Sequence, residues 1–457
     1  MTSAPTLPRA ALMGKGNLTE GDINAHLWRL SLPMLWGIGA IVSFQLVDTY
    51  YISRLGTDAL AAMSFTFPVT FTLFNIIMGF SIAMSSVAAR MIGSGNYEDV
   101  QRVTTHAIML VALVSSVLAM LGYLALDPLF TAMGATPLHL SYIKDFMHIW
   151  FAGAVCVSIP MVGNAAFRAS GDAVTPSVIM IVAAVANAIL APIFIFGLFG
   201  MPRLELRGAA MVTVAANGAA MLVGLYFLWH KYHLISLTHV LNLQKFGDSC
   251  RRILTIAVPA GVTNVLTPVV GAYITHLLAR TGAEAVAAYG IAMRVEAFIF
   301  IPVMAVAVGM APIVGQNWGA HKRDRVRQVV DRAIQFSVMW SLAVAFILVI
   351  AARPLARVFS DDALVVHYTS LFFLIVPVSY VFANLLSGWG TTFNAMGKPH
   401  LAFIGLFGRL IICLIPAVTL GYMMAQVTGV FLAVAGVGVI TGLAVHAYGR
   451  YLLRQQQ

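Results

Sequence analysis

Charge is scarce in this 457-residue chain: Asp, Glu, Lys and Arg supply only 10 % of it, against 60 % hydrophobic residues. Soluble domains carry about 25 % charged residues, so the composition excludes an ordinary soluble fold. Cysteine is scarcer still. Cys156, Cys250 and Cys413 show no spacing motif and fall in or beside apolar stretches, which excludes a disulfide framework and leaves them as small packing residues. No G-x4-G-K-[ST] loop occurs, so a nucleotide-driven pump is not expected. His-rich, Ser/His/Asp and paired acidic motifs are also missing, and "GSGN" at 93–96 is too short to mark an enzyme. Residues 1–26 hold no apolar run followed by a cleavage site, so the first apolar stretch is expected to act as its own insertion signal.

What the chain has is about twelve apolar stretches of membrane-crossing length. They lie near 27–53, 59–86, 103–126, 140–164, 174–197, 207–229, 253–279, 284–314, 331–352, 367–390, 400–421 and 425–448. The fold class is an all-α polytopic membrane protein. Of the 27 Lys and Arg residues, those in alternate loops divide unevenly. One side holds Arg9, Lys15, Arg90, Arg168, Lys231, Lys322 and Lys398 among many others; the second holds only Arg54, Lys144, Arg203, Arg207, Arg280, Arg353 and Arg357. The bias predicts both termini in the cytoplasm, in a cell inner (plasma) membrane. The net charge of +10 is therefore topology and not a nucleic-acid footprint.

Residue i resembles residue i+226 over much of each half. Pro33 meets Pro259, Gly56 meets Gly282, Gly93 meets Gly319, Tyr142 meets Tyr368 and Gly171 meets Gly397. Past residue 175 small shifts are needed, with Gly208 falling on Gly429. The repeat predicts two pseudo-symmetric six-helix bundles, 27–229 and 253–448, joined by a basic loop over 230–252. Cytoplasmic segments 1–26 and 449–457 flank them. An even helix number per half makes the repeats parallel, with substrate bound between or within them.

The repeat also separates scaffold from specialised residues. In the first stretch Pro33 marks a bend or hinge, and it recurs as Pro259. Asp48, about six residues below the outer surface, does not recur, since its counterpart is Ile274. A carboxylate at membrane depth costs about 3 kcal/mol on insertion scales and usually faces a polar cavity. Asn187, Thr213 and Asn217 fall at similar or deeper levels, and their counterparts are apolar or glycine. These four define a one-sided polar cluster in the first half; for Asn217 alone, inter-helix hydrogen bonding explains the residue as well. Arg294 and Glu296 lie inside the eighth stretch, two apart and so on different sides, as possible second-bundle charges that hold neighbouring helices. Arg409 either snorkels or pairs. His230, His233 and His239 read as interfacial and not as metal ligands; no metal site is expected. "HKRDRVR" (321–327) reads as topology and lipid-headgroup contact.

The stretch "VDTYYISRLGTDALAAMSFTFPVTFTLFNIIMGFSIAMSSVAARMIGSGN" (47–96), with "FRASGDAVTP" (167–176), "NAILAPIFIFG" (187–197) and "AMRVEAFIFIPVMAVAVGMAPIVGQNWGA" (292–320), resembles the multidrug and toxic compound extrusion (MATE) family. The likeness covers almost the whole chain. Asp48 fifteen residues after Pro33, Asn187 on the fifth helix and Asn164 on the fourth resemble the DinF-like branch. The acidic residues that the Norm-type branch carries in helices 7 and 10 are missing. The resemblance implies no enzyme and no cofactor, but a secondary antiporter, acting as a monomer in the bilayer. It would export amphipathic, mainly cationic drugs in exchange for an inward ion coupled through Asp48, Asn187, Thr213 and Asn164. Many relatives carry Asp where this chain has Ala191, which favours H+ over Na+, with sodium coupling as the alternative. Phe44, Met63, Phe67, Met180 and Asn217 would line the cargo cavity. A lipid-linked precursor flippase of the same superfamily is the other reading.

Overall fold

The structure is a computed structural model that describes residues 17–241 and 244–455; Arg9 and Lys15 lie outside them. The first half contains α1 (Ile23–Ser53), α2 (Thr57–Gly93), α3 (Tyr97–Leu124), α4 (Leu126–Ala132), α5 (Pro137–Ala152), α6 (Ala154–Ala169), α7 (Val174–Phe196) and α8 (Glu205–Tyr226). A five-residue helix, α9 (Leu237–Leu241), lies on the connection. The second half contains α10 (Phe246–Ala279), α11 (Ala283–Ile299), α12 (Ile301–Gly319), α13 (Arg323–Phe359), α14 (Ala363–Ile375), α15 (Tyr380–Ala395), α16 (Pro399–Phe407) and α17 (Ile415–Arg454). No strand occurs among the described residues.

Helix starts follow local chemistry. Asp22 caps α1 by accepting from the Ala25 N–H at 2.8 Å. Asp362 caps α14 through the N–H groups of Leu364 (2.9 Å) and Val365 (3.0 Å). Thr136 caps α5, with Pro137 in its first turn. The chain leaves α6 and α15 through Gly171 (φ 87°) and Gly397 (φ 75°), repeat-related positions whose left-handed backbone suits glycine.

Among the described residues ten helical runs are long and apolar enough to cross a membrane, and α5 with α6, bent by 48°, makes an eleventh. The run Pro399–Arg454 has 56 residues, about 84 Å of helix at about 1.5 Å per residue and too long for one crossing. Its backbone breaks at Ala425 (φ −147°) and Gln426 (φ 47°), after which Gly429 packs on the backbone of Gly421. The chain doubles back there, completing the expected twelve crossings.

The two halves share their core on one face only. One apolar cluster joins α2, α3 and α6 to Ile253, Ile256 and Ala257 of α10. Another joins Leu18, Leu27, Leu30 and Met34 to α12, α13 and α15. Both lie toward the face that carries Arg90, Arg168 and Lys322, the basic face. Toward the opposite face each half keeps a separate core: Ile52 to Val212 in the first, Val270 to Val437 in the second.

The shared face is built from repeat-related close approaches. Gly93 packs on the backbone of Gln316, and the repeat-related Gly319 packs on the backbone of Arg90, the counterpart of Gln316. The absence of a Cβ lets α2 and α12 cross with their backbones in contact.

Candidate functional site

Helix α1 is buried along its first half, at Leu27, Leu30, Ser31, Met34 and Gly37, and then holds no buried residue until Ile52. Pro33 lies inside the buried stretch and the helix runs unbroken through it. Beyond it α1 leaves the shared core and stays on its own half, where the Tyr51 hydroxyl donates to the Ala188 carbonyl of α7 at 3.2 Å. Asp48 is one turn before Tyr51, and Asn187 directly precedes Ala188. That contact fixes the two polar residues at the same level of adjacent helices.

Asn187 is 3 % exposed, and its amide donates to Thr213 Oγ1 at 3.3 Å. The Asn217 amide donates to the Thr213 carbonyl at 2.8 Å, within α8. Asp48 Oδ1 and Asn187 Oδ1 are both buried and have no hydrogen-bond partner. Two buried acceptors without a donor thus sit on α1 and α7, helices that the Tyr51–Ala188 hydrogen bond holds together. Protonation of a carboxylate turns it from an acceptor into a donor, and a bound cation serves two acceptors directly.

The remaining residues singled out in the sequence fall in several places. Asn164 is buried on α6, five residues from its end at the basic face, on the other side of the bundle from Asp48. Met180, partly buried, packs its methyl against Gly37 at the shared core, and Met63, also partly buried, packs against the first half's own core. Phe44 is half-buried on α1. Phe67 is exposed and stacks on Phe71, centroids 5.9 Å apart.

In the second half Arg294 is exposed on α11, about 17 Å along the helix from its start at Ala283. An arginine at that depth does not face lipid without a large cost. Glu296 points the other way, to Tyr380 and Arg409. Arg409 thus faces inward, toward Glu296, and does not snorkel. Sequence reasoning missed Tyr380, 2 % exposed, and Asn264 of α10, whose buried amide nitrogen has no partner. An Asn inside an apolar run was the only available signal for the latter.

The basic face is tied across the halves. Gln316 accepts from the Leu18 N–H (3.2 Å) and donates to the Ala169 carbonyl (2.8 Å). Asn317 donates to the Leu18 carbonyl at 3.0 Å. Lys322 donates to the Thr19 carbonyl at 3.0 Å, and Arg325 to the Gly21 carbonyl at 3.0 Å. Arg323 stacks 3.5 Å from the Trp318 ring centroid. The charges of 321–327, expected to serve topology and headgroup contact, here also hold the segment that leads into α1.

The "SGD" turn after α6 is a second fastening on this face. Asp172 accepts from the N–H groups of Val174 (2.8 Å) and Thr175 (3.2 Å), from Thr175 Oγ1 (2.6 Å) and from the Tyr232 hydroxyl. Burial works against its charge, yet these donors together outweigh it and hold the carboxyl below its usual range. Burial and the same carboxylate push Tyr232 up to about 12.

Comparison with known proteins follows this geometry. The MatE family profile matches twice, over residues 33–193 and 259–423, with starts 226 residues apart. The chain is 34 % identical over 427 residues to a protein of Shewanella oneidensis named "FAD transporter", covering 93 % of this chain and 94 % of that one. It is 25 % identical over 381 residues to "Multidrug export protein MepA" of Staphylococcus haemolyticus, covering 82 % and 81 % of the two chains. Among solved structures, the Vibrio cholerae MATE transporter VcmN in the bent form aligns with a TM-score of 0.89 at 29 % identity, covering 95 % of this chain and 98 % of that one.

Proposed function

This chain belongs to the MatE family of multi-pass membrane transporters, and on that premise we propose that it is a secondary exporter of small amphipathic molecules driven by protons that bind at Asp48. The observation that carries this reading is the pair of buried, unpartnered acceptors, Asp48 Oδ1 and Asn187 Oδ1, in the half of α1 that leaves the shared core. Protonating Asp48 supplies the missing donor, so the proton is bound best when α1 lies against α7. Cargo that needs α1 elsewhere then competes with it, and by linkage each lowers the other's affinity. Pro33, inside the stretch of α1 that packs in the shared core, is the hinge for that displacement. Ala191 in place of a carboxylate offers a sodium ion too few oxygen ligands and supports H+ as the coupling ion.

A second reading concerns the cargo. The "FAD transporter" relative is more similar than the multidrug relative cited above, and Arg294 is an exposed cation well inside the length of α11. Both favour an anionic flavin dinucleotide over a cationic drug.

The test uses the full chain and its Asp48→Asn variant in proteoliposomes, with a fluorescent cationic dye and FAD as alternative cargoes, under a pH gradient with and without sodium. Transport by wild type alone under the pH gradient alone supports proton coupling through Asp48. A sodium requirement overturns the ion, and undiminished transport by a folded Asn variant overturns the residue. The cargo that moves decides between the two readings.

A further inference from the structure

The second half interrupts its helices where its charges meet. The eighth crossing breaks at Phe300, four residues after Glu296, between α11 and α12. The tenth passes through a 3₁₀ segment, Val376–Ser379, immediately before Tyr380. The eleventh widens into a π-helical segment, Gly408–Leu414, that contains Arg409. Contacts confirm that these breaks converge. The Phe300 and Tyr380 rings meet edge to face with centroids 4.9 Å apart. The Trp340 indole donates to the Ile299 carbonyl freed at the break, at 2.9 Å. A Cβ built on Gly438 would lie 3.3 Å from Ser379 Oγ and 4.0 Å from an Arg409 guanidinium nitrogen. Irregular backbone at membrane depth is tolerated only inside protein or along a cavity, and π-bulges gather at functional sites.

A purely structural ion pair would be closed, and this one is open on its arginine side. Tyr380 faces Glu296, Arg409 Nε is buried with no hydrogen-bond partner, and no ion pair forms between Glu296 and Arg409. Buried polar groups left unpaired call for an explanation. The charged and titratable groups acting on Glu296 are Tyr289 on its own helix, Tyr380 on α15 and Arg409; Arg294 points away. The first half has no equivalent. Its counterparts of Glu296 and Tyr380 are Thr70 and Ala154, and α2 runs unbroken. Each half thus carries one intramembrane acid that the other lacks.

We propose that Glu296 is a second proton-carrying carboxylate, set between Tyr380 and Arg409, whose charge state governs the bend of the second half at Phe300. This rests on the transporter reading above. When charged, Glu296 draws the Tyr380 hydroxyl and the Arg409 guanidinium toward α11 and closes the cluster. When it takes a proton from water that reaches it, an O–H bond forms, the attraction lapses and the three irregular segments relax. The proton returns to water on release.

Infrared difference spectroscopy of the reconstituted full chain between pH values reads protonated carboxyl groups with no cargo present. The expected result is a titrating carboxylic C=O band that is lost in Glu296→Gln and kept in Asp48→Asn. Tyr380→Phe, which retains both acids, should move the midpoint of that band and no other. A Glu296→Gln spectrum identical to wild type overturns the proposal. Should that variant not fold, an unmoved midpoint in Tyr380→Phe overturns it instead. A titrating Glu296 band in a protein that moves neither dye nor FAD leaves this site standing and removes the export reading.

Discussion

Ala89 and Gly315 occupy equivalent positions of the two repeats and touch: a Cβ built on Gly315 would lie 2.6 Å from the Ala89 Cβ. Equivalent residues in mutual contact sit on the pseudo-two-fold axis. The reciprocal approaches of Gly93 to Gln316 and Gly319 to Arg90 surround that point. The shared face is thus a crossing of α2 and α12 at small residues, where backbone meets backbone.

Overfilling that crossing should force the halves apart. Gly315→Leu is expected to cost about 1–3 kcal/mol, the usual penalty for a side chain inserted into a packed site. Thermal unfolding in detergent checks this, with Gly436→Leu as a control because a Cβ at Gly436 meets nothing within 4 Å.

Gln316 spans the boundary by serving Leu18 and Ala169 at once. Gln316→Leu leaves a buried N–H and a buried carbonyl unpaired, about 1–3 kcal/mol for each group. Hydrogen exchange at the Leu18 amide should accelerate at least ten-fold, because the segment before α1 loses its anchor.

The Asp172–Tyr232 contact predicts stability loss at both pH extremes. The Asp172 carboxyl is held below its usual range, so its contribution is present above the ordinary carboxylate pKa and disappears as pH falls through the depressed value. Tyr232 is raised from 10.0 to about 12, so its contribution is intact below pH 10 and disappears as pH rises toward about 12. Melting temperatures across pH should show Asp172→Asn flattening the acid limb and Tyr232→Phe flattening the alkaline one.

Thr213 is the one hydrogen-bond acceptor of the Asn187 amide among the described residues. Thr213→Val should weaken proton-driven transport about five-fold, the equivalent of about 1 kcal/mol for a hydrogen bond. Asn217→Ala, which removes only a bond to the Thr213 carbonyl within α8, should change it less than two-fold. Initial efflux rates in proteoliposomes measure both.

Much of this architecture was legible because its signals are local or periodic. Apolar run length marked the crossings, including the break near Ala425 that divides the long run Pro399–Arg454. Asp48 stood out because the repeat puts Ile274 at its partner position. Asn164 belongs to the other end of its bundle, and Met180 to the shared core; neither could be placed from its own neighbours, since burial depends on which helix lies alongside. The meeting of Glu296, Tyr380 and Arg409 was unreadable for the same reason. Each is a single polar residue in an apolar run, and nothing in one run names the others.

The sequence by itself determined the solvent the chain lives in, the number of times it crosses, its duplication and the acid that breaks that duplication. These follow from composition, spacing and charge, which need no knowledge of distant contacts. The tertiary structure alone decided on which face the halves join, which glycines let their backbones touch, and that a second acid faces a tyrosine and an unpaired arginine. Those are outcomes of packing between segments far apart in the chain. Two packings of the same helices differ by only a few kcal/mol, a margin too small for any single stretch of sequence to reveal.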